Sequence, residues 1–97
     1  MNSAETNVNL SWQKLASLDG ATLAQLSKLK TLLLQFNKLT AVPDEIGTLT
    51  DLIELALYRN ELETLPESLG SLVNLEKLWL NDNKVRESWK QKLIFIP

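Results

Sequence analysis

The sequence predicts an α/β solenoid of about four coils, with a short parallel sheet on one face and 3₁₀ or short helical turns on the other. Three observations in its 97 residues lead there. A block of apolar and Asn positions returns every 23 residues, which marks stacked supersecondary units. Within each block a Leu-x-Leu step alternates with period 2, as a strand with one buried face requires. An Asn follows each step at a fixed offset, where the chain must turn away from the strand.

The elements follow in chain order, and residues 1–97 are expected to form a single domain. The first unit, about residues 5–28, is atypical. Val8, Leu10, Gln13, Leu15 and Leu18 align with Leu32, Leu34, Asn37, Leu39 and Val42, with one extra residue around Asp19-Gly20. Leu23, Leu26 and Leu29 complete its pattern. Thr22 and Gln25 have capping-box spacing, so a regular helix is expected from Thr22 to Lys28. The second unit, 29–51, carries Leu29, Leu32, Leu34, Asn37 and Leu39, and the third, 52–74, repeats them as Leu52, Leu55, Leu57, Asn60 and Leu62. Leu75, Leu78, Leu80, Asn83 and Val85 open the fourth, 75–97.

The return half of each central unit repeats as well: Val42-Pro43, Ile46-Gly47 and Leu49 match Leu65-Pro66, Leu69-Gly70 and Leu72. Pro43 and Pro66 suit the first position of a helical or 3₁₀ turn. Gly47 and Gly70 are expected to supply the backbone freedom needed at its end. From Arg86 to Pro97 the Leu-Pro and Gly signals are lost, as in a capping unit. Trp89 and the run Leu93-Ile94-Phe95-Ile96-Pro97 are expected to cover the last coil, or else to join copies of the chain as a homo-oligomer. One unit's aliphatic side chains cannot offset the entropy of ordering 23 residues, so stability must come from stacking.

The pattern L-x-x-L-x-L-x-x-N-x-L, followed by L-P-x-x-I/L-G-x-L, resembles the leucine-rich repeat family in its 23-residue subclass. The resemblance is strong from Leu29 to Val85 and looser outside. It implies a right-handed solenoid with its sheet on the concave face. It also implies a non-enzymatic protein–protein interaction module whose partner lies on that face. A self-associating structural unit, joined through exposed coil ends or the apolar tail, is the alternative.

Composition narrows the chemistry. Ten Lys and Arg against twelve Asp and Glu give a net charge of −2, so no basic excess exists to neutralise nucleic-acid phosphates. There is no Cys and no His, which removes thiol chemistry and the commonest general base and metal ligand. No enzyme activity, cofactor or metal is therefore expected. The polar start MNSAETNVNL lacks a signal-peptide pattern, and no run of 18 apolar residues exists. A cytoplasmic location without a transmembrane segment is the expectation.

If Leu32 and Leu34 point inward, the residues between and after them line the sheet face in four rows. These are Asn7, Thr31, Glu54, Lys77; Asn9, Leu33, Ala56, Trp79; Ser11, Gln35, Tyr58, Asn81; and Trp12, Phe36, Arg59, Asp82. The expected partner-binding set is Leu33, Gln35, Phe36, Glu54, Tyr58, Arg59, Lys77, Trp79 and Asn81. Aromatics beside charged groups match the make-up of interaction hot spots. The competing reading is that the rings merely pack on one another across strands. Gln13, Asn37, Asn60 and Asn83 are expected to form a structural ladder, since an amide can satisfy backbone groups of its own turn and the next. Asp44, Glu45 and Glu67 read as helix N-terminal charge on a solvated face rather than a calcium or acid–base site.

Overall fold

In a computed structural model, which describes residues 6–85, four three-residue strands make one parallel sheet in the order β1-β2-β3-β4. The strands are β1 Asn7–Asn9, β2 Thr31–Leu33, β3 Glu54–Ala56 and β4 Lys77–Trp79. Thr31 pairs with Asn7 and Glu54, and Glu54 pairs with Lys77, so each coil returns to the register of the one before. The backbone ladder continues past the strands. Leu34 N donates to Ala56 O and Leu57 N to Trp79 O, both at 2.8 Å, and Phe36 N and Arg59 N donate to Tyr58 O and Asn81 O at 3.1 Å.

The opposite side carries α1, Gly20–Ala24, and two 3₁₀ helices, Asp44–Thr48 and Glu67–Ser71. The extra residue of the first unit is taken up here. Leu23 N reaches back four residues to Asp19 O, whereas the equivalent Ile46 N and Leu69 N reach back three, to Pro43 O and Pro66 O. A wider α turn replaces a tighter 3₁₀ turn, and the strands stay in register.

Three expectations for these return segments need correction. The helix does not run from Thr22 to Lys28. Asp19 is its N-cap, accepting from Ala21 N at 3.1 Å, and the Thr22 hydroxyl donates to the same carboxylate at 2.9 Å. A carboxylate three residues upstream outcompetes the Thr22/Gln25 box and moves the start forward. Pro43 and Pro66 are not the first helical residues. Each is the extended residue before the turn, with ψ of 154° and 145°. Nor do Gly47 and Gly70 use left-handed backbone, because no described Gly has a positive φ. At Gly47 the demand is space: an added Cβ would lie 2.7 Å from Ser68 Cβ and 2.8 Å from Ser68 O of the next coil.

The core lies between sheet and return turns. Leu32, Leu34, Leu55 and Leu57 from the strand side meet Leu39, Leu62, Ile46, Leu69, Leu49 and Leu72, all buried. Leu10, Leu15 and Leu18 of the first coil and Leu78, Leu80 and Val85 of the last are only partly buried. The strand-exit leucines of the first and last described coils are thus less completely buried than those of the coils between them.

Buried Asn side chains fasten the coils at the strand exit. Asn60 Nδ2 donates to Leu34 O of the preceding coil at 2.9 Å and to Leu57 O of its own at 3.0 Å, while its Oδ1 accepts from Leu39 N at 3.1 Å. Asn83 repeats this with Leu57 O, Leu80 O and Leu62 N. Asn37 bonds Leu10 O and Leu34 O and accepts from both Gln13 N and Leu15 N at 3.0 Å. Gln13 stands apart from this arrangement: its exposed side chain keeps a single bond, to Ser11 O at 3.3 Å. It has no preceding described coil to reach back to.

Candidate functional site

The register fixes which side chains share the outer face of the sheet. With Leu32, Leu55 and Leu78 turned inward, the flanking positions form the rows Asn7-Thr31-Glu54-Lys77 and Asn9-Leu33-Ala56-Trp79. Gln35, Tyr58 and Asn81 follow one step after the buried Leu34 and Leu57 and the partly buried Leu80.

Between these rows lies a hollow of about 500 Å³, lined by Leu33, Gln35, Glu54, Ala56, Tyr58, Trp79 and Asn81. Its floor is Ala56, 2% exposed, whose small side chain lies between Leu33 and Trp79. Ala56 is absent from the sequence-derived binding set. The signal for it was the one small residue in a row otherwise holding Asn, Leu and Trp. Trp79 remains 45% exposed and its indole N–H donates to Glu54 Oε2 at 3.0 Å. Gln35 Oε1 is closed off from solvent and accepts no hydrogen bond.

The remaining expected residues stand beside the hollow rather than in it. Phe36 and Arg59 belong to the strand-exit row, where Trp12, Phe36, Arg59 and Asp82 all have φ of 59–60°. Left-handed backbone at such residues is unfavourable by about 1–2 kcal/mol each. It recurs in every described coil, immediately before Gln13, Asn37, Asn60 and Asn83. Trp12 stacks on Phe36 with ring centroids 4.0 Å apart and planes 8° from parallel, and Tyr58 meets Phe36 edge-on at 5.5 Å. Cross-strand packing therefore accounts for part of this aromatic row, yet Trp12 is still 69% exposed. The Arg59 guanidinium lies 5.8 Å from the Phe36 ring centre, and its Nε is 3.2 Å from Asp82 Oδ2. Lys77 is exposed on β4 in register with Glu54, but the two form no ion pair.

Among the described residues no three acidic side chains gather where a metal ion could be held. Asp44 and Glu45 stand exposed in the first turn of one 3₁₀ helix and Glu67 in that of the other. No helix of the described residues is long and apolar enough to cross a membrane. The expected covering segment, with Trp89 and residues 93–97, lies outside the described residues.

Comparison with known proteins agrees with this architecture. A family model described as leucine rich repeat matches residues 27–85. Among solved structures, a leucine-rich repeat protein of Leptospira interrogans superposes with a TM-score of 0.77 at 40% sequence identity, over 79% of this chain. The chain spans 19% of the length of that protein. No match was found among curated protein sequences.

Proposed function

Because the chain belongs to the leucine-rich repeat family, we propose that it is a protein-interaction module that holds its partner across the concave sheet face. The contact set is Leu33, Gln35, Phe36, Glu54, Tyr58, Arg59, Lys77, Trp79 and Asn81, with Ala56 as the floor. One observation carries the reading. Large rings, Tyr58 half-buried and Trp79 nearly half-exposed, border an open hollow on a sheet face whose folding already rests on the other side. Rings partly accessible beside a concavity become fully desolvated only under a partner, which is where binding energy concentrates.

The test is capture of partners from a lysate of the native organism by three immobilised proteins. Tyr58→Glu with Trp79→Glu should keep the circular dichroism spectrum and lose partners that wild type retains. Val73→Glu, at a residue 78% exposed and away from the sheet, should retain them. Equal capture by all three proteins refutes the face.

A second reading has its own observation. An apolar hollow of about 270 Å³ opens at the first coil, bordered by the partly buried Leu10, Leu15 and Leu18. Self-association through coil ends would cover it. Light scattering across concentration separates this reading from the first, since only end-to-end joining produces species that grow with concentration.

A further inference from the structure

Resting on the concave-face reading, we propose that the hollow floored by Ala56 is a seat for the guanidinium of a partner's arginine side chain. The argument rests on charge and aromatic surface. The hollow holds one formally charged side chain, the Glu54 carboxylate, and no Lys or Arg. The Trp79 indole donor is already committed to Glu54 Oε2. The Asn81 amide donates to Asp82 Oδ2 at 3.2 Å. Glu54 Oε1 and the Asn81 amide oxygen have no donor of their own. A cation bringing N–H donors to both would make charge-assisted hydrogen bonds with the carboxylate.

Ring faces complete the chemistry. Tyr58 and Trp79 border the same space, and a cation beside an aromatic face is attracted by the ring quadrupole. The molecule shows the same grouping already filled one row away, where the Phe36 ring, the Arg59 guanidinium and the Asp82 carboxylate meet. In the hollow the rings and the carboxylate are present and the guanidinium is not. Lys77, next to Glu54 in register, does not supply the charge. Guanidinium suits the site better than ammonium, because its planar fork presents several donors while its face stacks on a ring.

The experiment titrates the isotopically labelled protein with the peptide acetyl-Ser-Gly-Arg-Gly-Ser-amide, following the Trp79 indole N–H resonance. Parallel titrations use peptides with citrulline or lysine in place of arginine. The arginine peptide should saturate the Trp79 shift, and neutral citrulline should bind about tenfold more weakly through loss of a charge-assisted contact. Glu54→Gln should cause a similar loss. Asn81→Ala should also weaken binding, while leaving the protein about as stable as wild type, since this side chain is exposed. That combination separates a ligand contact from a structural role. Citrulline binding as tightly as arginine overturns the proposal even if both variants misfold, because that comparison uses wild-type protein. Lysine binding as tightly overturns the guanidinium assignment. An arginine peptide that leaves Trp79 unmoved, while Tyr58→Glu/Trp79→Glu still loses partner capture, overturns the arginine seat alone. Capture that survives the double substitution overturns the concave-face reading as well.

Discussion

Replacing Asn60 with Ala probes the fastening between coils, and its cost can be worked from the bonds removed. The side chain holds Leu39 N at 3.1 Å, and no other acceptor serves that buried N–H. Its two main donor bonds go to Leu34 O and Leu57 O, which also accept from Asn37 at 2.8 Å and Asn83 at 2.8 Å. The substitution thus orphans one N–H outright and leaves each carbonyl with a remaining donor. An unsatisfied buried group costs about 1–3 kcal/mol, and that is the expected loss. With a urea slope near the low end for small domains, about 1 kcal/mol per molar, the unfolding midpoint should fall by about 1–3 M. Asn60→Asp keeps an acceptor for Leu39 N but turns oxygens toward two carbonyls, so it should cost at least as much. Gln13→Ala removes one exposed 3.3 Å bond and should fall within about 0.5 kcal/mol of wild type. Urea melts followed by circular dichroism make the comparison. Equal destabilisation by Asn60→Ala and Gln13→Ala would refute the argument that buried amides fasten the coils.

Two further outcomes test the local geometry. Gly47→Ala should destabilise by about 1–3 kcal/mol in the same melts, because its Cβ would press on both side chain and backbone of Ser68. Ser68→Gly should rescue it only partly, since the carbonyl contact at 2.8 Å remains. At Arg59, whose φ is 59°, Gly should be more stable than Val by about 1 kcal/mol or more, as β-branching is least compatible with left-handed backbone. Both changes remove the exposed pair with Asp82, so the comparison does not depend on that pair. A Val variant as stable as Gly would contradict the strained turn.

Periodicity carried the repeat architecture because it states which positions must be buried together. Leu32, Leu55 and Leu78 at one phase and Asn37, Asn60 and Asn83 at another are enough to set strand, turn and parallel stacking, since a 23-residue unit cannot bury its face alone. The rows of the sheet face followed from the same phase. What periodicity could not supply was any quantity depending on distances between coils. Asp19 caps α1 because its carboxylate reaches Ala21 N, which outweighed the Thr22/Gln25 spacing. Gly47 is required by the approach of Ser68 from 21 positions further on, not by its own dihedral angles. Gln13 aligns with the ladder residues but has no earlier described coil against which to act as one. The hollow over Ala56 exists only when three coils lie side by side. A single sequence determines what each coil is made of and which way it faces. The spaces between coils are properties of their packing, and tertiary structure alone decided them.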